Sequence, residues 1–145
     1  MSVSVLDASV AVSALRASDV NHARAASHLA ALLQGIDSIV IPSIFDVEVV
    51  ATLVRAGVAP VEARRAADLF LARARVVTLG PRAARTASGV ASRTRLRTGD
   101  AIYVSVAERE ALPLVTFDAE ILSRAHLAGV TAVAPPGKRW SPVYG

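Results

Sequence analysis

Short runs of strand-forming residues alternate with helix-forming segments along the whole chain, and this alternation limits the fold more than any other feature. Residues 3–6, 39–41, 76–79, 114–116 and 130–133 read as strands. The first helix follows at residues 9–17. A second spans 21–33, with Ala26, Leu29, Ala30 and Leu33 on one stripe and Gly35 just beyond its end. Ser43 is placed to cap a third helix, which runs to Ala56 and stops at Gly57. Pro60 suits the first turn of a helix over 61–74. Helices over 81–94, 100–111 and 119–128 complete the set, the second of them after a break at Thr98-Gly99. The pattern predicts an α/β fold: a mostly parallel five-stranded sheet flanked by helices in three layers. The stretch between the second and third strands holds two helices and is expected to project as a pair.

At 145 residues the chain suits one domain over residues 1–145. Its apolar fraction of 53% and mean hydropathy of +0.47 predict a packed core. No apolar run reaches the length of a membrane span. The apolar N-terminus has no basic residue before Arg16 and is interrupted by Asp7, so it reads as strand and helix and not as a signal peptide. The tail, residues 134–145, holds three prolines and the only tryptophan, Trp140. It is expected to be irregular, with Trp140 packing it down or meeting a partner.

There is no cysteine, which excludes disulfides, zinc thiolates and a thiol nucleophile. His22, His28 and His126 are scattered without ligand spacing and read as surface or capping residues. The formal net charge is +4. Arg73, Arg75, Arg82, Arg85, Arg93, Arg95 and Arg97 form a stretch free of acids. Such a stretch is either a solvated helix face or a phosphate-binding surface, since arginine forks onto phosphate oxygens. It leads directly to Asp100, which favours Arg93, Arg95 and Arg97 as contacts to a nucleic-acid backbone.

Four acids stand where chemistry could use them. Asp7 ends the first strand, and Asp118 follows the fourth. In a parallel sheet both strand ends lie on one edge. Asp100 opens the helix before the fourth strand. Glu48 lies in a helix otherwise lined by Ile44, Val47, Ala51 and Val54, and a carboxylate on an apolar stripe costs several kcal/mol unless something compensates it. Each strand-end aspartate also fits a helix N-cap, and Asp100 also fits a first-turn residue favoured by the helix dipole. Asp46 reads as solvated, and Glu120 as an ordinary first-turn acid that could reach a second metal. If the four acids converge, their repulsion calls for a cation between them. An all-oxygen ligand set selects Mg²⁺ or Mn²⁺, which suits phosphate chemistry.

In these motifs the chain resembles the PIN-domain family, and within it the VapC-type ribonuclease toxins of toxin–antitoxin pairs. The resemblance rests on the strand ending in Asp7-Ala8-Ser9, on Pro42 with Glu48 six residues later, on Asp100-Ala101 opening a helix, and on Thr116-Phe117-Asp118. Their order and spacing fit over essentially the whole chain. One departure is the absence of an aromatic residue shortly after the last acid, where this chain has Ile121 and Leu122. The resemblance implies a cytoplasmic, homodimeric endoribonuclease that depends on Mg²⁺ or Mn²⁺ and leaves a 5′-phosphate. It implies that Asp7, Glu48, Asp100 and Asp118 form the acidic, metal-holding site, with Ser9 and Thr116 as supporting hydroxyls. It also implies a small VapB-like antitoxin whose C-terminal segment blocks the site.

Two other readings compete. A haloacid-dehalogenase-like phosphatase also begins with a strand ending in Asp. It needs a second acid two residues on, where this chain has Ser9, and a lysine, of which none precedes Lys138. The non-enzymatic reading is a PIN-like interaction module whose acidic pocket receives a partner's arginine.

Overall fold

A computed structural model describes residues 2–136. Five parallel strands form one sheet: β1 (Ser2–Leu6), β2 (Asp37–Pro42), β3 (Ala74–Val77), β4 (Leu114–Val115) and β5 (Ala132–Val133), in the order β3-β2-β1-β4-β5. The helices are α1 (Ala8–Leu15), α2 (His22–Leu33), α3 (Ile44–Arg55), α4 (Pro60–Leu71), α5 (Pro81–Thr94), α6 (Thr98–Glu110) and α7 (Ala119–Arg124). A 3₁₀ turn at Ala125–Ala128 follows.

The strand order matters for the site. From β1 the chain moves outward through β2 to β3, then crosses back to β4 on the other side of β1. Right-handed crossovers in opposite directions put their helices on opposite faces. Accordingly α1, α2, α3 and α4 pack among themselves, and α5, α6, α7 and the 3₁₀ turn form a second group. The direction reverses between β1 and β4, and the crevice at the carboxyl end of such a switch point is where open α/β sheets bind ligands. Register pairs Val5 with Leu114 and Leu6 with Val115, so the two strands end level and deliver Asp7 and Thr116 side by side.

The core explains why the elements hold. Val5, Leu6, Ile41 and Leu114 are fully buried, each stabilising the fold by about 1.5–3 kcal/mol. Phe45 of α3 meets Phe70 of α4 edge-on with ring centroids 5.9 Å apart, and this contact locks the helix pair expected between β2 and β3. α6 is buried along all of residues 101–107, so its polar members Tyr103 and Ser105 lie inside the protein.

Several boundaries and faces differ from the sequence reading. β3 lies two residues earlier, at Ala74–Val77, because its partner β2 ends at Pro42 and the Ser43 N–H closes the ladder on Val77. Ser43 does not cap α3; its hydroxyl accepts from the Leu79 N–H instead. Thr98 and Gly99 belong to the first turn of α6 and are not a break before it. The last helix divides into α7 and the 3₁₀ turn, ended by Gly129 in the left-handed region at φ 74°. The core stripe of α2 is Ala25, His28, Ala31 and Leu32, one position from the expected one, and it makes His28 a core residue, not a surface one. α3 packs through Phe45, Val49 and Leu53, while Val47, Ala51 and Val54 face outward. Trp140 and Lys138 lie outside the described residues. Among the described residues no helix is long and apolar enough to cross a membrane.

Candidate active site

Asp7 anchors the site. Its N–H donates to Val115 O at 3.0 Å, which ties the end of β1 to β4. Its Oδ2 accepts from Ser9 Oγ at 2.6 Å and from Thr116 Oγ1 at 2.8 Å. Both hydroxyls work in two directions. Thr116 Oγ1 accepts from the Asp118 N–H at 2.9 Å, and Ser9 Oγ accepts from the Phe117 N–H at 3.2 Å. The two supporting hydroxyls therefore bind the turn carrying Asp118 to the carboxylate of Asp7 across the switch point. Asp7 occupies the N-cap position of α1 without a full side-chain cap bond; the Ser9 N–H favours its carboxylate, but the two hydroxyls act on it more strongly. For Asp118 the capping explanation holds: Oδ1 accepts from the Ile121 N–H at 2.9 Å and opens α7.

Glu48 and Asp100 approach from α3 and α6. Both are half-buried. Glu48 Oε1 is buried and meets no partner at full hydrogen-bond geometry. Its Oε2 lies against Gly99, close enough that a Cβ added there would stand 3.0 Å away. Electrostatics links the group. Burial pushes the Asp100 carboxyl up to about 6, helped by the charges of Asp118, Asp7, Glu48 and Glu120. Burial also raises Asp7 and Glu48, Asp7 further through Asp118 and Glu48 further through Asp7. The hydroxyls of Ser9 and Thr116 act against this at Asp7, and Tyr103 does so at Glu48. The four acids thus share one field.

Their donors are hard oxygens and their charges repel; both properties suit a hard divalent cation. Among the described residues, no three acids or histidines are spaced as a ready-made cation cage. The cluster is an open edge of carboxylates, with charge density in place ahead of tight ligand spacing.

The periphery sorts the remaining sequence candidates. Glu120 is exposed but adds its charge to the field at Asp100. Asp46 is held by Arg64. Arg93 is engaged by Glu108 at 3.1 Å, whereas Arg95 and Arg97 are exposed on the turn between α5 and α6 that leads to Asp100. Three neighbours escaped the sequence reading. Gly99 and Tyr103 flank Glu48 from α6. Arg24 lies over the Phe117 ring at 5.3 Å and donates from Nε to Pro135 O at 2.7 Å, which puts a cation beside the segment carrying Asp118. Tyr103 could have been noticed as a hydroxyl-bearing ring three residues after Asp100 in an otherwise apolar run. Nothing in the sequence singles out Arg24.

A family model described as PIN domain matches residues 4–127. No curated protein matches the sequence. Solved structures do match the fold. Mycobacterium tuberculosis VapC20, described as a sarcin-ricin-loop-cleaving toxin, is 18% identical with a TM-score of 0.72, over 93% of this chain and 100% of its own. VapBC2 from Rickettsia felis, solved bound to a promoter DNA fragment, is 16% identical with a TM-score of 0.68, over 92% and 98%. FitAcB from Neisseria gonorrhoeae is 17% identical with a TM-score of 0.65, over 93% and 98%.

Proposed function

Because the chain belongs to the PIN-domain family, we propose that it is a Mg²⁺- or Mn²⁺-dependent endoribonuclease acting as the toxin of a toxin–antitoxin pair. The observation that carries this reading is the gathering of Asp7, Glu48, Asp100 and Asp118 at the β1–β4 switch point, where burial first and the neighbouring charges second push the Asp100 carboxyl up to about 6. Asp7, Asp100 and Asp118 are the direct cation-holding candidates, with Glu48 holding a water or orienting the nucleophile. A bound divalent ion would neutralise the carboxylates and the phosphodiester and would activate water for attack. The protein's own part is positioning. Ser9 and Thr116 fix one oxygen of Asp7, the Thr116 hydroxyl and the Ile121 N–H fix the turn and one oxygen of Asp118, and burial keeps competing water from Asp7.

Arg95 and Arg97 would dock the RNA backbone on the approach to Asp100. RNA in a loop or single strand is the favoured substrate, since its bases are open to reading. The sarcin-ricin-loop activity named for VapC20 supports that choice. The toxin–antitoxin assemblies among the structural relatives support a VapB-like antitoxin as partner. The outward valines Val47, Val54 and Val61 support a protein interface, including a homodimer.

The test incubates purified protein, freed of any partner, with structured total RNA in Mg²⁺, in Mn²⁺ and in EDTA. Discrete cleavage that needs the ion and disappears in an Asp7→Asn/Asp100→Asn variant is the expected result. An Asp7→Asn protein as active as wild type in Mg²⁺ would sink the assignment.

A further inference from the structure

We propose that Tyr103 is a positioning residue for Glu48, its buried hydroxyl holding one carboxylate oxygen so that the other is presented to the acidic cluster. The proposal rests on the nuclease reading and names a residue outside the four acids. Its first support is a pair of buried polar groups. Tyr103 is 1% exposed, and its Oη meets Glu48 at less than full hydrogen-bond geometry. Glu48 Oε1 is likewise buried. The Tyr103 hydroxyl interacts with Glu48, with the charge of Asp7 and with the backbone at Ala8, so Glu48 is the acceptor at hand for its O–H. A buried hydroxyl left short of a full bond costs up to about 1–3 kcal/mol, which a phenylalanine at this position would avoid.

The second support is steric and independent of the first. Gly99 lies one turn before Tyr103, at i and i+4, on the same face of α6. A Cβ at residue 99 would stand 3.0 Å from Glu48 Oε2. One helix face therefore shapes this carboxylate twice, with a gap that seats Oε2 and a hydroxyl that interacts with the same side chain. Gly99 adjoins Asp100, whose carboxyl feels the Glu48 charge.

The experiment is Mn²⁺ binding by calorimetry on protein without RNA, with melting temperature in EDTA and cleavage kinetics measured beside it. Tyr103→Phe is expected to weaken Mn²⁺ binding about tenfold, as loss of an outer-shell partner does. Its melting temperature should stay equal or rise, and kcat should fall at unchanged KM. In a Glu48→Gln background, Tyr103→Phe should have no further effect on Mn²⁺ binding. Gly99→Ala, which crowds Oε2, should weaken binding in the same direction, and it serves as the comparison if Tyr103→Phe does not fold. Wild-type Mn²⁺ affinity in Tyr103→Phe, with binding lost in Asp7→Asn, would overturn the role of Tyr103 and leave the nuclease reading standing. An equal loss with and without Glu48 would overturn it too, since Tyr103 would then act through the fold. A wild-type protein that binds no Mn²⁺ would remove the nuclease reading and this inference together.

Discussion

Replacing Asp100 with asparagine should make the ion-free protein more stable, and the size of the gain follows from the site. The Asp100 carboxyl is pushed from 3.8 up to about 6 by burial and by four neighbouring acids. A shift of that size corresponds to roughly 3 kcal/mol of strain on the ionised form at about 1.4 kcal/mol per unit. Asp100 is only half-buried, so solvent screening reduces this to about 1–2 kcal/mol. The sign is set by linkage. A raised carboxyl costs nothing below its unfolded value of 3.8, where both states are protonated, and costs its full amount above about 6, where both are ionised. Wild type should therefore lose stability relative to Asp100→Asn as pH rises from about 4 to 6.

The assay is thermal unfolding in EDTA across that window. For a chain of this length 1 kcal/mol moves Tm by about 2–4 °C, so the variant should melt about 2–8 °C higher at pH 7.5, with the gap fading toward pH 4. Adding Mg²⁺ should raise wild type and not the variant, which narrows the gap from the other side. A variant no more stable than wild type at pH 7.5, or a gap that ignores pH, would refute the idea that these acids strain one another.

Thr116→Val removes the hydroxyl that donates to Asp7 and accepts from the Asp118 N–H, in a fully buried setting, and should cost about 1–3 kcal/mol in urea unfolding. Phe45→Ala, which empties the edge-on contact with Phe70, should cost about 3–5 kcal/mol in the same assay. Arg95→Ala and Arg97→Ala, made in a cleavage-dead Asp7→Asn protein, should each weaken RNA binding and lower its salt dependence by about one phosphate contact. Arg93→Ala should weaken it less, because Glu108 already holds that guanidinium.

The sheet was legible because each strand is a short apolar run between helices, and parallel strands leave few alternatives. Asp7 and Asp118 were legible for the same reason: residues after parallel strands share an edge whatever the details of packing. Faces of helices were harder. α3 is apolar on two sides, and periodicity does not say which side packs, so the outward stripe of Val47, Ala51 and Val54 looked like the core one. The shift of β3 came from its partner, since the length of β2 decides where an edge ladder stops. Gly99 read as a break because glycine near a helix start fits one, and only the approach of Glu48 shows its use as space.

The structural and chemical explanations of an acid are often weighed as rivals, and here they divide by residue. Asp118 caps α7 through Oδ1, and that bond is what fixes its carboxylate while its charge acts on Asp100. Capping is the means by which this acid is aimed. Asp7 stands at the corresponding place before α1, where the Ser9 N–H contributes less than the two hydroxyls that hold its Oδ2. A fold indifferent to chemistry gains more from the cap than from a buried carboxylate strained by its neighbours. Asp7 keeps its carboxyl buried beside Asp118, held chiefly by hydroxyls, at the place where the strand order reverses, and that costly placement is what the proposed cation site would account for.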